Sequence, residues 1–293
     1  SKDELVDWTS LNNGYITTNI TDVAFDPNSE HDHILASFQE NGCWYTSSTH
    51  PKTPWKNRYY AVEHTSGGNI AIADQGKTKY VSNRLVDDIF RLDLDENEQV
   101  IARTKVTPRS SSFFSFGGKF ILDPRNDNAM YLGKSQTLYR NSNLDEIPKN
   151  GTANTDINWN FLATIPQNSG GIEHISAISV SYYPIADRLY FGTSRGRLYR
   201  IDHANLNPVE LIDIFSEKGF PEEGYISDIN VDPSNDKRAI VTFSNYGVIS
   251  LFLTEDAGKN WVNISGNLEE NPDGAGNGPS IKSTAFFGGS QGY

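Results

Sequence analysis

Internal repetition constrains this chain more than any other feature. Ile20-Thr-Asp-Val-Ala-Phe-Asp-Pro27 aligns without gaps on Ile226-Ser-Asp-Ile-Asn-Val-Asp-Pro233. Ile175-Ser-Ala-Ile-Ser-Val-Ser-Tyr182 is a third copy, Lys119-Phe-Ile-Leu-Asp-Pro124 a shorter fourth, and Ile281-Lys-Ser-Thr-Ala-Phe286 opens a fifth. Each reads as a short strand ending in a turn. In three copies the turn starts with Asp-Pro. Proline fixes its own φ and the aspartate can accept turn N–H groups, so the pair stops a strand.

A second strand ending in small residues follows each turn: His33–Ser37, Ala129–Gly133, Arg188–Gly192 and Arg238–Thr242. A third comes after it, at Cys43–Thr46, Thr137–Arg140, Arg197–Arg200 and Ser250–Leu253. Trp55, Trp159 and Trp261 mark a fourth. Residues 68–105 read as one more, diverged unit. Asp26 and Asp123 lie 97 residues apart, which is two units; Asp123 to Tyr182 is 59 and Tyr182 to Asp232 is 50. Four-stranded units of about 40–50 residues are the mark of a β-propeller. One such sheet cannot bury both its faces, whereas a ring of them can. A β-sandwich does not explain four strands recurring in one order. The predicted fold is therefore all-β: one propeller domain over residues 1–293, of four-stranded antiparallel blades, six or seven in the intact domain. Val6-Asp-Trp8-Thr-Ser-Leu11 reads as a fourth strand without its first three, and residues 281–293 as a first strand that then stops. The expectation is a partial blade at 1–19 and another at 281–293, in a piece of a longer polypeptide carrying further domains.

Composition narrows the partners. Lys and Arg number 25 against 37 Asp and Glu, a formal net charge of −12. That argues against nucleic acid or an anionic membrane as the main partner. No run approaches the roughly 20 apolar residues of a membrane-spanning helix, so membrane insertion is not expected. A positively charged leader with an apolar segment behind it is absent from these residues. Cys43 is the single cysteine and can form no intrachain disulfide, so stability rests on packing.

Thr254-Glu-Asp256-Ala-Gly258-Lys-Asn-Trp261 fits the pattern Ser/Thr-x-Asp-x-Gly-x-x-Trp, between a third and a fourth strand. Its chemistry is structural. The Asp256 carboxylate can cap backbone N–H groups, Gly258 permits positive φ, and Trp261 packs under the turn. On these residues the chain resembles the Asp-box, or BNR-repeat, propellers. That group includes sortilin-type receptors, family 74 xyloglucanases, sialidases and large secreted bacterial proteins. The likeness is greatest to the last set. It rests also on Ser37-Phe-Gln-Glu-Asn-Gly42, Gly68-Asn-Ile-Ala-Ile-Ala-Asp74, Phe191-Gly-Thr-Ser-Arg-Gly-Arg-Leu-Tyr199 and Trp261-Val-Asn-Ile-Ser-Gly-Asn-Leu268. The resemblance implies export or a cell-surface location. Its motifs specify blades and not chemistry.

A sialidase would need an Arg-Ile-Pro strand, which is missing. A family 74-like glucanase would need two facing carboxylates, one acid and one base. In that family the base lies in a turn after the second strand of the first blade, where this chain has Glu40; the acid comes from a second domain. Asp22 and Asp228 occupy equivalent places in inner strands, so their carboxylates either line the central channel or hydrogen-bond neighbouring backbone. Trp44, Tyr45, Trp55, Tyr59 and Tyr60 cluster in one unit, as a sugar-stacking platform or as packing between blades. The histidines show no metal-ligand spacing, and no Gly-rich phosphate loop is present, so neither metal nor cofactor is expected. The expected function is extracellular or cell-surface binding of a glycan or protein through one propeller face. An endo-acting glycoside hydrolase on a β-glucan and a structural spacer are the alternatives.

Overall fold

A computed structural model describes residues 19–26, 32–39, 41–50, 52–57, 67–83, 88–109, 118–166, 172–215, 219–269 and 278–286. They form five four-stranded antiparallel sheets. Blade one holds β1 (Ile20–Phe25), β2 (Ile34–Phe38), β3 (Cys43–Thr46) and β4 (Lys56–Asn57). Blade two holds β5 (Gly67–Ala73), β6 (Thr78–Asn83), β7 (Ile89–Leu94) and β8 (Val100–Lys105). Blade three holds β9 (Lys119–Asp123), β10 (Asn126–Lys134), β11 (Thr137–Asn141) and β12 (Trp159–Thr164). Blade four holds β13 (Ile175–Val180), β14 (Leu189–Thr193), β15 (Leu198–Ile201) and β16 (Ile212–Asp213). Blade five holds β17 (Ile226–Asp232), β18 (Asn235–Phe243), β19 (Leu251–Thr254) and β20 (Val262–Asn263). This is a β-propeller, with five blades among the described residues where the sequence pattern predicted six or seven.

The register repeats from blade to blade. Asp22 pairs with Ser37, Lys119 with Gly133, Ala177 with Gly192 and Asp228 with Thr242. The Asp-Pro turns close as their residue types require. Asp123 Oδ1 accepts from the Arg125 N–H at 2.9 Å, and Asp232 Oδ1 from the Ser234 N–H at 2.8 Å.

Hydrophobic burial lies between blades. Ile70 and Ile72 of β5 share a cluster with Leu35, Cys43 and Tyr45 of blade one. Phe120 of β9 packs in the same way with Tyr80 and Ile89 of blade two, and Val180 of β13 with Tyr131 and Leu138 of blade three. Ile229 and Val231 of β17 meet Tyr190 and Leu198 of blade four. The inner strands β5, β9, β13 and β17 thus each turn an apolar side to the preceding blade. Each such side chain contributes about 1.5–3 kcal/mol when fully buried.

Two regions depart from the sequence reading. The segment 144–157, where the sequence shows no strand pattern, is a strap on blade two. It buries Leu144 and Ile147, and the fully buried Arg91 donates through Nη1 to the Leu144 carbonyl at 2.5 Å and through Nη2 to the Ile147 carbonyl at 3.1 Å. Residues 281–286, expected as a first strand, lie along β17 but are held mainly by side chains. Ser227 Oγ donates to the Lys282 carbonyl at 2.8 Å and Asn230 Nδ2 to the Thr284 carbonyl at 2.6 Å. Val6–Leu11, Glu40, Tyr59, Tyr60 and residues 287–293 lie outside the described residues.

Candidate functional site

The inner strands surround a polar central cavity of about 640 Å³. Its lining includes Asp22 of β1, Lys119 of β9, Ser179 of β13, Asp228 and Asn230 of β17, and Lys282. Asp22 and Asp228 therefore do line the channel. They also hydrogen-bond neighbouring backbone, so both readings of the pair hold at once. Asp22 Oδ2 accepts from the Ile70 N–H and from Asn69 Nδ2, each at 3.1 Å, and Oδ1 from the Val23 N–H at 2.9 Å. Asp228 Oδ2 accepts from the Thr284 N–H and from Asn230 Nδ2, each at 2.8 Å.

Both contacts cross to the following inner segment, and both repeat one geometry. An aspartate on one strand takes the N–H one residue past its own counterpart on the next. Hydroxyls beside them act similarly. Thr21 Oγ1 donates to the Gly67 carbonyl at 3.3 Å, and Ser176 Oγ to the Ile226 carbonyl at 2.6 Å. Asp22 thus staples blade one to blade two, and Asp228 staples blade five to residues 281–286.

Electrostatics follow from the placement. Burial pushes the Asp22 carboxyl above its ordinary range, against the pull of Lys119 and of the Asn69 and Ile70 donors. Burial also raises Asp228, opposed by the Thr284 N–H and Lys119 and reinforced by the charge of Asp22. Lys119 thus acts on both acids. The sequence reading missed it, although Lys119 occupies the same place in its strand as Asp22 and Asp228. Its repeat copy is shorter and has lysine where the Ile-x-Asp opening of β1 and β17 has aspartate.

The aromatic cluster divides. Tyr45 is wholly buried and offers no ring face to a sugar, which corrects its place in a platform. Its hydroxyl is bonded to His33 Nδ1 and donates to Glu98 Oε1 at 3.1 Å, and Lys79 Nζ sits 3.6 Å from its ring centre. Trp44 is half-buried with Nε1 donating to the Asn41 carbonyl at 3.0 Å, and Trp55 is 41% exposed. Burial raises Glu98, but Lys56, Ser47 and Tyr45 outweigh it and hold the carboxyl at about 2. Cys43 lies buried under the same sheet, its thiol pushed up to about 12 by burial.

In the Thr254–Trp261 turn, Thr254 Oγ1 accepts from the Gly258 N–H at 2.9 Å, and Asp256 Oδ1 from the Asn260 N–H at 2.8 Å. Gly258 has φ 83°. Trp261 is buried with its ring 5.3 Å from that of Phe220. These side chains are spent on the turn and its underside. Among the described residues no three His, Cys, Asp or Glu side chains are grouped to hold a metal ion. No helix among them is long and apolar enough to cross a membrane.

No protein-family model matches the chain, and no curated protein does either. Solved structures do. The chain is similar to the β-propeller domain of Cps50 (Swd1) from Myceliophteria thermophila, at 10% identity and a TM-score of 0.50, over 76% of this chain and 67% of that one. A chain of a nidogen/laminin complex matches at 12% identity and a TM-score of 0.52, over 83% and 78%. The likeness establishes a fold. At these identities it establishes nothing finer.

Proposed function

We propose that this propeller is a binding module, exported or displayed at a cell surface, whose face engages a glycan or protein ligand. One observation carries the preference for binding over catalysis. Asp22 and Asp228, the two channel carboxylates, are each committed to backbone N–H groups of the following segment. A general acid and base must instead face the substrate with their oxygens free to exchange protons. A rigid ring with variable connecting loops suits recognition. A protein ligand is in keeping with the nidogen/laminin complex among similar structures, and export with the Asp-box likeness of the Thr254–Trp261 turn.

The ring we infer is larger than five blades, with residues 281–286 as the inner strand of a sixth. Two observations support it. Asp228 treats Thr284 as Asp22 treats Ile70, which lies on β5, the inner strand of blade two. On β1, Ile20, Val23 and Phe25 are 55%, 42% and 63% exposed, whereas their counterparts Ile226, Ile229 and Val231 are 0%, 3% and 8% exposed against a preceding blade.

The test of function is a surface-immobilised chain probed with a glycan array and a panel of purified extracellular proteins. Saturable binding to one member, unchanged in Asp22→Asn, supports the reading. Silence across both panels would shift the weight to a structural spacer.

A further inference from the structure

A second polar cavity, of about 400 Å³, lies between blades two and three. Tyr80 of β6 lines it, and Tyr80 is out of line with its counterparts. Tyr80, Tyr131 and Tyr190 hold one position in three successive blades, paired with Ala71, Ile121 and Ser179. The Tyr131 hydroxyl donates to Asp187 Oδ1 at 3.0 Å, and the Tyr190 hydroxyl to the Asp236 carbonyl at 3.0 Å. Each is thus capped by the turn between the first two strands of the next blade. Tyr80 is 1% exposed, and the matching turn of blade three brings Asp127 and Asn128 to the same cavity. Yet no described group hydrogen-bonds the Tyr80 hydroxyl. The Tyr80 phenol is therefore left to whatever occupies the cavity, where its counterparts are satisfied by the protein itself.

The walls carry one sign of charge in excess. Asp74, Asp93, Asp127 and Asp145 line the cavity against Arg91 and Lys149. Arg91 is spent. Its guanidinium holds the strap carbonyls of Leu144 and Ile147, and its Nε lies 3.4 Å from Asp93 Oδ2. Asp145 Oδ1 lies 3.7 Å from Arg91 Nη1, so among the described lining residues the Arg91 charge is balanced by two carboxylates. Lys149 enters from the strap, with Nζ 3.5 Å from Asp93 Oδ1 and its side chain 59% exposed. It marks where a cation is attracted, and it is held only at the rim.

We propose that this cavity receives the ammonium or guanidinium group of a basic side chain on a protein ligand, with the Tyr80 hydroxyl and the Asp93 and Asp127 carboxylates as acceptors. The proposal rests on the reading that the propeller binds a protein. Lys149 is then a tethered competitor that the ligand displaces.

The test is calorimetric titration of the whole chain with Nα-acetyl-L-arginine amide and Nα-acetyl-L-lysine amide, with neutral Nα-acetyl-L-citrulline amide as control. Saturable binding of either cation and none of citrulline is expected. Lys149→Ala removes the competitor and tightens binding by up to about fivefold, the worth of an exposed ion pair. Tyr80→Phe and Asp145→Asn weaken it. Lys149 and Asp145 are exposed, so their variants keep the fold, and circular dichroism checks this. Absence of saturable binding, equal binding of citrulline, or an unchanged or weaker Lys149→Ala would overturn the proposal. Failure here leaves the glycan and protein panels free to succeed. Cation binding here with no protein bound in the panel would instead sink the protein-ligand reading alone.

Discussion

At the scale of single residues, neighbouring blades approach by exchanging size across one contact. A Cβ added at Gly192 of β14 would stand 2.5 Å from Ile226 Cγ2, and one at Gly133 of β10 would stand 2.6 Å from Ile175 Cγ2. Between blades one and two the sizes are reversed, since Ser37 of β2 meets Gly67 of β5, where an added Cβ would stand 2.8 Å from Ser37 Cβ. Small residues ending the second strand were visible in the sequence, but their partners were not, because those lie 30 to 42 residues further on. Gly192→Ala is expected to cost about 1–3 kcal/mol by overpacking, measured by urea denaturation. A neutral result would mean that the blades part more readily than this contact implies. Cys43 makes a second residue-scale prediction. A buried thiol held at about 12 is almost entirely protonated at neutral pH and should resist an aromatic disulfide reagent until the chain unfolds. Rapid labelling of the native protein would contradict the packing of β3 on blade two.

At the scale of elements, strands were legible and the devices joining them were not. The alternation in Ile226–Asp232 and its copies located four of the five inner strands, and the diverged unit at 68–105 supplied β5, because the pattern that buries one side is local. The strap at 144–157 was invisible, because Arg91 holds it through carbonyls that any sequence would supply. The Thr254–Trp261 turn was legible in both residue type and spacing. Asp256→Ala, which loses the cap on the Asn260 N–H, should cost about 1 kcal/mol. Trp261→Ala, which empties the space beside Phe220, should cost about 3–5 kcal/mol. Equal losses in the two variants would contradict this division of labour. The staples predict a pH dependence. The carboxyls of Asp22 and Asp228 are raised in the fold, so their stabilising contribution is complete below the ordinary carboxylate pKa and is lost as pH rises through the raised value. From pH 4 to pH 7, wild type should therefore lose stability relative to the double variant Asp22→Asn/Asp228→Asn. Thermal melts at both pH values decide the sign, and a wild type that gains on the variant would refute the assignment.

At the scale of the whole molecule, the ring explains why a chain with one cysteine and modest apolar content folds. Burial accumulates between sheets that would be unstable alone. The architecture was legible because its unit recurs. The ligand was not, because the loops and the cavity beside Tyr80 that the proposed binding would use depart from the repeat: Tyr131 and Tyr190 are capped by the next blade, Tyr80 is not, and blade one has Leu35 at that position. The central claim is that the channel aspartates join blades and perform no chemistry. Its most direct test is reducing-end release from a panel of β-glucans by wild type and by Asp228→Asn. The account predicts no release above background from either protein. Release by wild type that disappears in a correctly folded Asp228→Asn would contradict it and make the channel an active site.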